Sequence, residues 1–185
     1  MKISVSFVLW LLLLGAVSAS ETCDCLQNQE QTAQLKIELD NLKQQLQVRQ
    51  VAFSASLLVT GETTIGPLPT DIVLIYKHVI TNIGNAYNSN TGVFTAPVRG
   101  VYNFEWHVGA VGDGSHASAG WLVKNSEKVF MAYGQQNQHF GSTSNGVTLL
   151  LELGDVVFVR LAANCKVYDN VNKHNTFSGH MLFPM

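Results

Sequence analysis

Side chains alternate strictly over residues 101–107. Tyr102, Phe104 and Trp106 fall on one side of an extended strand; Val101, Asn103, Glu105 and His107 fall on the other. Three rings on one face bury a large apolar area, each worth about 1.5–3 kcal/mol once covered. Just upstream, Asn88-Ser89-Asn90-Thr91-Gly92 has the composition of a turn that sends Tyr87 and Phe94 back towards each other. Short apolar or alternating runs recur at Val51–Val59, Ile72–Val79, Trp121–Val123, Val129–Tyr133, Val147–Leu151, Val156–Leu161 and Thr176–Phe183. Turn residues separate them, among them Gly61, Gly66-Pro67, Gly112-Asp113-Gly114, Asn125, Gly141 and Gly154-Asp155. Many short strands with such turns predict an all-β head over residues 51–185, folded as an antiparallel jelly-roll sandwich.

Before residue 51 the period changes. Leu35, Leu39, Leu42 and Leu46 lie alternately four and three residues apart, on one stripe of a helix. Extending the stripe meets Asn28 and Thr32 on one side and Arg49 on the other, so about two heptads are clean. A helix this short is marginal alone in water. It is predicted to be a short α-helical coiled-coil stalk, residues 20–50, whose association depends on the head. Lys36 and Asp40, four apart, are expected to pair along it.

Nearer the start, the apolar run Val5–Leu14 gives way to Ala16-Val17-Ser18-Ala19. That is the layout of a secretory signal peptide, residues 1–19. The run falls short of the roughly 20 apolar residues a spanning helix needs. A secreted, extracellular protein passes through an oxidising route in which disulfides form. Cys23 and Cys25, one residue apart, are poorly placed to bridge each other, so interchain disulfide bonds are expected. Cys165 stands apart as an expected structural thiol.

Tyr76, Asn82, Tyr87, Phe94, Gly100, Tyr102, Phe104 and Trp106 form an ordered series: aromatic, Asn, aromatic, Phe, then Gly-x-Tyr-x-Phe-x-aromatic. This series resembles the signature of the globular head of complement C1q and its relatives, the C1q and tumour necrosis factor superfamily. Two positions depart from the usual pattern, with Tyr76 in place of Phe and Trp106 in place of Phe or Tyr. The stretches Gly146–Val157 and Asn175–Phe183 are similar to the family's later strands, and Phe53-Ser54-Ala55 to its first. The resemblance implies a jelly roll of about ten strands and a tight trimer of heads. No Gly-X-Y run precedes the head, so the collagen arms of complement C1q have no counterpart in this sequence. The order of signal, cysteine pair, leucine stalk and head is similar to that of the cerebellins, secreted ligands that bridge cell-surface receptors.

Candidate chemistry changes the picture little. His78, His107, His116, His139, His174 and His180 show no metal-ligand spacing, and no nucleophile elbow or carboxylate pair stands out. Some heads of the resembled family hold calcium through loop carboxylates. Here Asp113, Asp155 and Asp169 lie in candidate loops, one Asp to each. No catalytic residue or cofactor is therefore expected, and calcium is left as an open alternative without a motif of its own. The formal net charge of −2 gives no basic footprint for nucleic acid or an anionic membrane. The expectation is a non-enzymatic secreted ligand, a homotrimer through its head, joined into hexamers or larger species by Cys23 and Cys25. It would bridge or cluster cell-surface receptors. Soluble innate-immune recognition of microbial or glycan surfaces is the alternative, since many weak sites suit avidity.

Overall fold

The computed structural model describes residues 27–44, 46 and 50–185. The signal read over residues 1–19, and both Cys23 and Cys25, lie outside the described residues. The chain divides into two units between Leu46 and Gln47.

In the first unit, residues 27–44 are helical and exposed on every side. The leucine stripe is open to solvent, at 50–65% exposure for Leu35, Leu39 and Leu42. Lys36 and Asp40 do not form the ion pair expected of them; Asp40 pairs instead with Lys43 at 3.6 Å. The acid-before-base order suits the helix dipole, and residues three apart are neighbours on a helix surface.

The second unit is built of strands: β1 (Ala52–Ser56), β2 (Thr63–Ile65), β3 (Ile72–Val73), β4 (His78–Ile83), β5 (Tyr87–Asn88), β6 (Val93–Thr95), β7 (Gly100–Val111), β8 (Ser118–Lys124), β9 (Glu127–Gly134), β10 (Phe140–Leu151), β11 (Val156–Leu161), β12 (Val167–Asp169) and β13 (Thr176–Pro184). One sheet runs β10-β7-β13-β1-β4 and the facing sheet runs β5-β6-β11-β8-β9. These two five-strand paths are the jelly-roll sandwich. β3 adds a short pairing to β11, and β12 and β2 form a separate ribbon. The apolar run Ile72–Val79 is not one strand, because the chain changes sheets within it. Leu74 N–H donates to Val159 O in the second sheet, and Lys77 N–H to Leu57 O, just beyond β1 of the first.

The core lies between the sheets. Tyr102, Phe104 and Trp106 are fully buried from β7, with Phe177 from β13, Phe94 from β6 and Leu122 and Val159 opposite. The Trp106 indole N–H donates to Gly120 O at 2.9 Å, tying the first sheet to β8 of the second. Gly120 leaves room for Val108, since a Cβ there would stand 3.0 Å from its side chain.

Candidate functional site

The eight motif residues gather around one aromatic cluster. Phe53 stacks on Tyr87 at 4.6 Å between ring centres, and Phe94 meets Phe104 edge-on at 5.2 Å. Asn82 grips the backbone of Tyr87 from both sides: its Nδ2 donates to Tyr87 O at 2.9 Å, and its Oδ1 accepts from Tyr87 N–H at 3.2 Å. That clamp fixes the turn between β4 and β5. The Tyr87 hydroxyl donates to Tyr76 O at 2.9 Å. Tyr102 donates to Val98 O at 2.8 Å, holding the approach to β7. Gly100 lies under the chain's last strand, where a Cβ would stand 2.8 Å from Phe183 O. Burial pushes the Tyr76 and Tyr87 phenols well above the ordinary tyrosine range. Apart from the half-buried Asn82, these side chains are buried and build the head.

One outward-facing surface belongs to the first sheet. Residues directly opposite on neighbouring strands share a face. Register places Leu150, Val101 and Phe183 in one row across β10, β7 and β13. Thr148, Asn103 and His180 form the next row, Gly146, Glu105 and Ser178 the third, and Ser144, His107 and Thr176 the fourth. The first row is apolar and open, with Leu150 44% and Phe183 53% exposed. The rows beyond it are polar, and Glu105, His107 and His180 are their largest exposed side chains. A shallow open depression of about 300 Å³ lies beside them, lined by Glu105, His107, Ser144, Asn145 and Gly146. His107 Nδ1 lies 3.1 Å from Thr176 Oγ1. At the sheet's border, Asn145 Nδ2 donates to Met131 O at 3.0 Å and Thr143 Oγ1 to Tyr133 O at 3.2 Å. These bonds occupy carbonyls of β9, the border strand of the second sheet.

Asp113, Asp155 and Asp169 are held apart by protein partners, and Asp169, expected in a loop, instead ends strand β12, where it pairs with Thr63 of β2. Asp113 accepts from Ser115 N–H and His116 N–H and pairs with Lys166. Those partners, Lys166 foremost, hold its carboxyl far below the usual range. Asp155 accepts from Asn125 and Glu152 N–H and lies 3.1 Å from Lys124, which brings its pKa to about 2. Asp169 is buried and accepts from His174 N–H at 2.7 Å. Among the described residues, no three His, Cys, Asp or Glu are gathered as a metal ion requires. Cys165 is a buried free thiol whose pKa burial raises.

The C1q domain family model matches residues 52–182, from the start of β1 into β13. The chain belongs to the C1q domain family. Solved structures with the same fold include the globular domain of zebrafish complement 1qA protein, at 19% identity and a TM-score of 0.54 over 73% of this chain and 99% of that one. Eiger TNF from S. frugiperda matches at 12% identity and a TM-score of 0.59, over 74% of this chain and 95% of that one. Murine APRIL matches at 9% identity and a TM-score of 0.56, over 72% and 99%. At these identities the likeness is one of fold. The C1q domain is thus a jelly roll whose recognisable residues lie inside it, so whatever it binds is met by the outer faces and edges.

Proposed function

We propose that this C1q-domain protein is a secreted, non-enzymatic ligand whose heads trimerise and which bridges or clusters cell-surface receptors. The observation that carries the reading is the open apolar row of Leu150, Val101 and Phe183 on a C1q-type sheet. Covering such a row with neighbouring copies of the head removes apolar surface from water. Trimers then present three copies of each remaining surface, and clustering follows from that multiplicity. Among the described residues, no helix is long and apolar enough to cross a membrane. The order of signal, cysteines, stalk and head, similar to the cerebellins, supports the receptor-bridging role.

The test is capture by the purified secreted protein from two sources, the surface proteins of animal cells and bacterial polysaccharides. Specific retention of a cell-surface protein, weakened when Cys23→Ser and Cys25→Ser reduce the ligand to single trimers, is the expected outcome. Retention of polysaccharide alone would replace this reading with immune recognition.

A further inference from the structure

The leucine stripe of the stalk is an unpartnered helix face, and its flanks carry information about what covers it. With Leu39 and Leu46 at the first (a) position of successive heptads, Leu35 and Leu42 take the fourth (d). Glu38 then falls at the flanking g position, with Lys36 and Lys43 at the e positions. In a parallel pair of helices, a g residue meets the e residue five places further along its neighbour. Glu38 of one chain therefore meets Lys43 of the next. In an antiparallel pair, e positions face each other, which sets Lys36 against Lys43 and opposes like charges. Both the apolar stripe and its charges thus fit a second copy of the same helix running in the same direction. A shallow groove beside Leu35, lined by Gln31, Gln34 and Glu38, leaves that flank open to a neighbour's side chains.

We infer that the stalk is a parallel, in-register self-associating coiled coil whose direction is set by pairing of Glu38 with Lys43 of a neighbouring copy. Asp40 shares in this arrangement: it holds Lys43 at 3.6 Å within one helix and so keeps that ammonium on the helix flank. The inference rests on the proposed head trimer, because about two clean heptads are too few to associate stably unless another part of the chain holds the copies together.

The test uses the full secreted chain carrying Cys23→Ser, Cys25→Ser and Leu42→Cys, under mild oxidation, with mass measured by light scattering. Parallel in-register helices bring the new thiols of two chains together, and cross-linked pairs are expected. Either Glu38→Lys or Lys43→Glu should slow cross-linking about threefold at low salt, and the two together should restore the rate. About 1 M salt should remove the difference. Leu39→Cys serves in the same way should Leu42→Cys impair secretion. Absence of cross-linking in a protein of three-chain mass overturns the inference and leaves the head trimer standing. Cross-linking only between Leu39→Cys and Leu42→Cys chains mixed together overturns the parallel direction. A single-chain mass without cross-links overturns both readings, whereas cross-linked pairs that separate to single chains on reduction retain the stalk and refute the head.

Discussion

Phe104 shows how one side chain is held by residues far from it in sequence. Its ring is fully buried, edge-on to Phe94 and stacked near Phe177 at 6.1 Å. Beneath it lies Gly179 of β13, where a Cβ would stand 2.5 Å from the Phe104 ring and 2.8 Å from that of Phe53. Replacing Phe104 with Ala should cost about 3–5 kcal/mol, since neighbours from four strands cannot all close the gap. Denaturant unfolding of the variant measures this. A loss near zero would mean that the cluster does not hold the sheets together. The face of Phe104 was legible, because strand alternation is local. The need for Gly179 was not, because its reason is a ring on another strand. The same holds for Asn125, which lies between β8 and β9 yet grips Asp155 and Val156 where the chain enters β11.

Among the elements, the strands with an apolar rhythm were the readable ones. β7, β11 and β13 follow their runs closely. β10 is read only over Val147–Leu151, yet it begins at Phe140. Residues 140–146, Phe-Gly-Ser-Thr-Ser-Asn-Gly, are extended because β7 pairs with them along their whole length. β2 and β12 pair only with each other and carry no rhythm of their own. The turn that carries the chain from β10 in one sheet to β11 in the other supplies a prediction at this scale. Asp155 has its carboxyl held to about 2, from 3.8, by the amide of Asn125, the N–H of Glu152 and Lys124. A depressed carboxyl stabilises the fold above its unfolded pKa and loses that contribution as pH falls. The contribution is therefore full above about pH 4 and gone below about pH 2. Asp155→Asn should melt lower than the native chain at neutral pH, by an amount matching about 1 kcal/mol or less for so accessible a pair. Thermal melts from pH 7 to pH 2 should show the two proteins converging as the pH falls through that window. A gap independent of pH would show that the charge on Asp155 contributes nothing to the turn.

For the whole molecule, the head's fold was legible from spacings that lie within 31 residues of chain, Tyr76 to Trp106. The outer face was harder to read, because Leu150, Val101 and Phe183 are scattered in sequence and become one row only through the register of three strands. The assembly prediction joins that face to the amino-terminal cysteines. If the heads set a three-chain unit, each unit carries three copies of Cys23 and three of Cys25. Three copies of one cysteine cannot all pair among themselves, and the one left over is free to seek a second unit. Stalks that hold the chains side by side raise the local thiol concentration and favour oxidation during secretion. Changing both cysteines to Ser should leave the head folded, since the motif residues and the sheets that bury them all lie beyond residue 50. It should reduce hexamers or larger species to trimers and weaken receptor clustering, while binding by a single head is unchanged. Light scattering with and without reductant reads the mass directly. Equal masses for the native and double-Ser proteins would mean that Cys23 and Cys25 do not build the assembly.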